Sequence, residues 1–148
     1  MKNMKVVQTK DTLNTIYLDA LRIRNQVFVV EQGVPLQREI DKDEAYAVHF
    51  VLYSDDQEAM ATVRLLPLEK NELKLQRMAV QKNFRGHGYG KQLISEAEKF
   101  AKEQGFNKIK LGAQKTAISF YQEMGYKSYG EPFIDAGIEH LSMEKELQ

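Results

Sequence analysis

The sequence contains no cysteine. That excludes a disulfide, a thiolate metal site and a cysteine nucleophile. It has no net charge either, since 21 lysines and arginines stand against 21 aspartates and glutamates. A balanced chain is not held to nucleic acid or membrane by bulk charge, and no dense basic patch with interleaved aromatics marks a nucleic-acid surface. The opening MKNMKVVQTKD lacks the apolar run of a signal peptide. No stretch approaches the roughly 18 consecutive apolar residues of a membrane span. The three histidines stand at His49, His87 and His140, with no i, i+4 pair to grip a metal. The acidic stretch EIDKDEAY, 39–46, lacks the calcium-loop pattern and reads as a solvated loop, whose charge could draw a cationic amine. No linker, repeat or low-complexity tract divides the chain. These absences imply a cytoplasmic protein of one domain, 1–148, with no metal, no membrane and no nucleic acid.

What is present is a hydrophobic fraction of 43%, enough for one packed core. The pattern predicts a short strand over 4–8, an N-cap at Asp11 or Thr12, and a helix through Leu13, Ile16, Tyr17, Ala20, Leu21 and Phe28. VFVVEQ, 27–32, fits a second short helix or a strand, broken by Gly33 and Pro35. AVHFVLY, 47–53, AMATVRLLPL, 59–68, and LKLQRMAV, 73–80, read as successive antiparallel strands with turns at 55–58 and Asn71. Leu93, Ile94, Ala97, Phe100 and Ala101 form one helical stripe that Gly105 ends. KIKL, 108–111, alternates as a strand, TAISFYQEMG, 116–125, is a short helix, and two strand-like segments close the chain. The fold class is α/β, with a mixed, mostly antiparallel sheet of about six to seven strands flanked by helices.

Chemistry concentrates in VQKNFRGHGYGKQL, which sets Gly86, Gly88 and Gly90 between a strand and a helix. Neither the dinucleotide fingerprint nor the P-loop fits any register of these glycines. The physical logic of both survives. N–H groups at a helix start converge on an anion, and glycine allows close approach and positive φ. Arg85 and Lys91 add formal charge, so a pyrophosphate suits the turn.

The spacing Arg85-x-x-Gly88-x-Gly90 resembles the R/Q-x-x-G-x-G/A signature of the GNAT superfamily of N-acetyltransferases. QKTAISFYQEMGY, about 24 residues on, is similar to a second block of that family, with Gln114, Ala117, Phe120, Tyr121 and Gly125 on matching positions. LRIRNQVFVVEQGVP and GIEHLSM look like the small bacterial ElaA/YjcF-like branch. The resemblance implies an acetyl-CoA-dependent N-acetyltransferase with splayed central strands, acting on an unknown amine acceptor, as a monomer or homodimer. It implies that Arg85, Gly86, His87, Gly88, Tyr89, Gly90 and Lys91 hold the pyrophosphate, and that the backbone of Met78, Ala79 and Val80 holds pantetheine, with Gln114 beside it. The N–H of Met78 or Val80 would then serve as oxyanion donor.

Tyr121 is the implied donor to the leaving thiolate. A phenol near 10 facing a thiol near 8.5 makes that transfer uphill by about 2 kcal/mol. A lysine-like amine is neutral about once in 2,500 molecules at pH 7, a deficit of about 4.6 kcal/mol, so a base should help. Glu31, His49 and His140 are the candidates, with Glu31 and His140 ranked first. A non-catalytic acyl-CoA-binding sensor or interaction module on the same fold would share the turn and differ at Tyr121 and the base.

Overall fold

In the computed structural model, which describes residues 4–147, seven strands form one sheet. They are β1 (Lys5–Thr9), β2 (Val48–Tyr53), β3 (Ala59–Pro67), β4 (Glu72–Val80), β5 (Lys108–Gln114), β6 (Lys127–Asp135) and β7 (Ile138–Glu146). Their spatial order is β1-β2-β3-β4-β5-β7-β6. All neighbours are antiparallel except β4 and β5. Four helices flank the sheet: α1 (Thr15–Arg24), α2 (Leu36–Glu39), α3 (Tyr89–Glu103) and α4 (Ile118–Glu123).

Helix α3 carries the predicted stripe, and Leu93, Ile94, Ala97 and Ala101 are fully buried. They pack on one face of the sheet with Phe50, Leu73, Leu75, Ile109 and Leu111. Ala20 and Ile23 of α1 cover the opposite face with Val27, Val51 and Ala79. Two local expectations change. The N-cap of α1 is Asn14, whose side chain accepts from the Tyr17 N–H at 3.1 Å. Asp11 instead accepts from the Leu13 N–H at 2.8 Å, a turn ahead of the helix. The VFVVEQ segment is neither an α-helix nor a strand. Asn25–Glu31 continues α1 as a π-helix, a wider coil that hydrophobic spacing does not announce.

The acidic segment is a larger correction. Glu39 and Glu44 are buried among Arg24 and Arg64, both of which are 1% exposed. Arg24 bonds Glu39 and reaches both oxygens of Glu44 at 2.9 Å. Arg64 meets Asp41 at 2.8 Å and Glu44 at 2.9 Å, and Arg77 meets Glu39 at 3.2 Å and Asp41 at 3.1 Å. Three guanidiniums thus neutralise three carboxylates between α1, α2 and β3–β4. The segment is internal structure, and its charge is spent on arginines of the same chain.

Candidate active site

Strands β4 and β5 run in parallel register only over Glu72–Lys74 and Lys108–Lys110. Beyond that they part. The last residues of β4 stay paired with β3 on one side, Val80 opposite Ala61 and Ala79 opposite Thr62. Their other edge faces a gap. β5 meanwhile stays paired with β7 to its end, with Gln114 opposite His140. A gap with one unpaired strand edge can take an extended ligand as an added strand.

The gap opens on the glycine turn. Gly88 is the N-cap of α3, left-handed at φ 79°, with no side chain capping the helix. Gly86 is left-handed at φ 84°, and a β-carbon at either glycine would meet open space. The first N–H groups of a 15-residue helix are therefore uncapped beside a surface with room for a ligand. Gly90 differs. It is buried, and a β-carbon there would lie 3.0 Å from Met78 Cε and 3.4 Å from Phe120. Its smallness lets α3 sit against β4 and α4, a packing role that spacing alone did not separate from the other two.

The charged residues of the turn are engaged with other side chains. Arg85 donates to the Val80 carbonyl at 2.9 Å and grips Glu31 with both terminal nitrogens, at 3.0 and 2.9 Å. Glu31, at the end of the π-helix, is thereby tied to the turn. Lys91 meets Glu123 of α4 at 2.6 Å, and both remain exposed. His87 and Tyr89 stand with ring centres 5.6 Å apart.

Tyr121 lies on α4 and is 7% exposed, its ring edge-on to Phe120 and Tyr126. Burial pushes its phenol up to about 12. The hydroxyl has no hydrogen-bond partner among the described residues, yet none of their buried side-chain nitrogens or oxygens is left unpartnered, so this oxygen keeps some contact with solvent. His140 packs on Phe133 with ring centres 5.5 Å apart. Its Nδ1 lies 2.8 Å from the Ile138 carbonyl, which can only accept, so the ring donates from Nδ1 and this contact leaves Nε2 free. His49 is walled in. It is 1% exposed, donates from Nε2 to the Glu44 carbonyl at 2.9 Å and lies edge-on to Tyr17. Burial, with Arg24 and Arg64 nearby, holds its imidazole below the ordinary range. It is a structural histidine of the arginine cluster.

One feature of the gap has no sequence signal. Thr62 pairs with Ala79 and Arg64 with Gln76, so Val63 faces two residues, Arg77 and Met78. Arg77 sits at φ 55° in this bulge. The side-chain faces show the extra residue: Leu73 and Leu75 pack toward α3 before the bulge, Met78 and Val80 after it.

A sheet split beside an uncapped, glycine-led helix start is the layout of an acyl-CoA N-acyltransferase. A family model described as an acetyltransferase (GNAT) domain matches residues 16–147. The chain belongs to that family of N-acetyltransferases. It is 38% identical over 129 residues to the N-acetyltransferase YjcF of Bacillus subtilis, covering 86% of this chain and 91% of that one. Among solved structures, one described as an N-acetyltransferase from Lactobacillus plantarum superposes with a TM-score of 0.91 at 32% identity, over 98% of this chain and 99% of the other. Escherichia coli ElaA follows the same path with a TM-score of 0.83 at 27% identity, over 99% of this chain and all of its own, 100%. The family membership implies an acyl-CoA as one substrate. No helix among the described residues is long and apolar enough to cross a membrane.

Proposed function

We propose that the protein transfers the acetyl group of acetyl-CoA to a primary amine of a small molecule or peptide, by direct attack in a ternary complex. The observation that carries this reading is the gap between β4 and β5 opening on the uncapped start of α3. In it the pyrophosphate sits against the N–H groups from Gly86 to Lys91. Pantetheine lies along the free edge of Met78, Ala79 and Val80, with the Gln114 side chain beside it. The amine nitrogen attacks the thioester carbonyl carbon, and a backbone N–H of β4 receives the charge that develops on oxygen. Nε2 of His140 takes the proton that the nitrogen sheds. The C–S bond breaks, and Tyr121 protonates the thiolate.

One refinement comes from the ion pairing and one from burial. Glu31 is held by Arg85 in a two-pronged ion pair, which makes it a tether for the turn and leaves the base role to His140. A phenol near 12 makes protonation of a thiolate near 8.5 uphill by about 5 kcal/mol, more than the roughly 2 kcal/mol of an ordinary tyrosine, so the bound thiol must itself shift the balance. The protein acts in the cytoplasm as a monomer or homodimer.

The test is to incubate the protein with acetyl-CoA and a broad panel of primary amines while following free thiol. Amine-dependent thiol release is expected. Tight coenzyme A binding without thiol release from any amine would favour a non-catalytic acyl-CoA sensor. Thermal stabilisation by ATP and NAD equal to that by acetyl-CoA would remove the coenzyme A assignment.

A further inference from the structure

The buried arginine–carboxylate cluster ends at the bulge of β4. Arg77 is the member that joins them. Its backbone is left-handed, at φ 55°, a conformation its β-carbon disfavours. Such a conformation persists where the surroundings over-determine it. Here they do. The Arg77 guanidinium bonds Asp41 at 3.1 Å and the Arg38 carbonyl at 3.1 Å, and it pairs ionically with the Glu39 carboxylate at 3.2 Å. Those partners are anchored in turn. Arg24 bonds the Glu39 side chain and, at 2.7 Å, its carbonyl, while Arg64 grips Asp41 with two nitrogens at 3.0 and 2.8 Å. Hydrophobic packing of Met78 and Val80 requires one extra residue in β4, but it does not say where that residue sits or how it kinks. The clamp on Arg77 does, immediately before the strand edge that faces the gap.

We propose that Arg77 is a positioning residue for acyl transfer. Its side chain, clamped by Glu39 and Asp41, holds the left-handed kink that orients the Met78–Val80 backbone toward the thioester. The proposal rests on the reading of that edge as the carrier of the oxyanion donor. Arg77 touches no reacting atom and acts through the backbone that follows it.

Two substitutions separate the kink from the charge. Arg77→Ala keeps the β-carbon that disfavours positive φ and loses the clamp. Arg77→Gly loses the clamp as well but adopts positive φ freely. For Arg77→Ala the expected result is a fall in kcat of about tenfold or more, with KM for acetyl-CoA within about threefold of the parent. Arg77→Gly should recover most of that rate. If Arg77→Ala does not fold, Arg77→Gln, which keeps the stem and loses the charged fork, takes its place. Hydrogen exchange of the Met78–Val80 amides, measured without substrate, should rise more in the alanine variant than in the glycine variant. A parent protein that turns over no amine would sink the catalytic reading, and exchange alone would then decide the clamp. Equal losses of rate in alanine and glycine variants, a parental rate in Arg77→Ala, or exchange unchanged by the alanine substitution would each overturn the proposal.

Discussion

Glu44→Gln offers a direct measurement of how much the chain relies on the balanced charge cluster. The Glu44 carboxylate accepts two bonds from Arg24 and one from Arg64, all at 2.9 Å, one from the Tyr17 hydroxyl at 3.0 Å and one from the Asp41 N–H at 3.0 Å. Glutamine keeps the shape but brings one acceptor oxygen, and turns its NH₂ toward guanidiniums that can only donate. Three arginines then face two carboxylates in a site where Arg24 and Arg64 are 1% exposed. Removing one partner of a buried ion pair costs about 3–5 kcal/mol. At about 2–4 °C per kcal/mol for a domain near this size, Tm should fall by on the order of 10 °C. The loss also has a pH signature. Burial alone would raise the Glu44 carboxyl, but the bonds from Arg24 and its neighbours outweigh that and hold it well below its ordinary 4.5. A carboxylate with a depressed native pKa contributes stability that is complete above the unfolded value and drains away as pH falls toward the native one. The gap between parent and variant should therefore be constant from pH 7 to about 5 and narrow below about 4.5. Thermal or urea unfolding across this range reads it. A Tm within about 2 °C of the parent at pH 7, or a gap that already closes between pH 7 and 6, would refute the reasoning.

Tyr121→Phe should lower kcat about 10²-fold with acetyl-CoA affinity within about threefold and Tm nearly unchanged, because the hydroxyl it removes has no hydrogen-bond partner among the described residues; steady-state kinetics and a thermal melt check both. Gly88→Val should weaken coenzyme A binding, since φ 79° resists a β-branched residue and its side chain would fill the open space read above as the pyrophosphate's, whereas Gly90→Val should lower Tm first, because its side chain meets Met78 and Phe120; calorimetric titration beside a melt separates the two. His49 is neutral in the native state below its ordinary 6.5, so stability should fall as pH drops below about 6.5 and level off once the native imidazole also takes its proton. His49→Gln should flatten that part of the urea-midpoint profile, and a slope unchanged by the substitution would assign it to another group.

The strands, the α3 stripe and the glycine turn were legible in the sequence because each rests on local chemistry. Alternation in KIKL, the stripe from Leu93 to Ala101 and the left-handed glycines Gly86 and Gly88 ahead of a helix hold their meaning in any surroundings. The family blocks were legible for the same reason, since Arg85, Gly88 and Gly90 sit close together in the chain. The π-helix was not legible, because Asn25–Glu31 has the composition of an α-helix or a strand and its wider coil is a tertiary outcome. Nor was the fate of the acidic segment. Glu39 and Glu44 read as solvated because their partners Arg24 and Arg64 lie 15 and 20 residues away, and charge far apart in sequence carries no sign of pairing.

What the sequence determined by itself is the inventory and its local geometry: a neutral, cysteine-free chain, a glycine-rich turn ahead of a long helix, a tyrosine on the short helix after β5, and a histidine on the last strand. The tertiary structure alone decided which of these meet. It parted β4 from β5 after three paired residues, set Gln114 opposite His140, and gave Glu31 to Arg85. It also placed a left-handed arginine at the bulge before Met78 and fastened it to a buried charge cluster. The physical reason is separation along the chain. Backbone propensity and hydrophobic period act within a few residues. Strand divergence, ion pairing and bulge position are settled only when segments tens of residues apart compete for one interior.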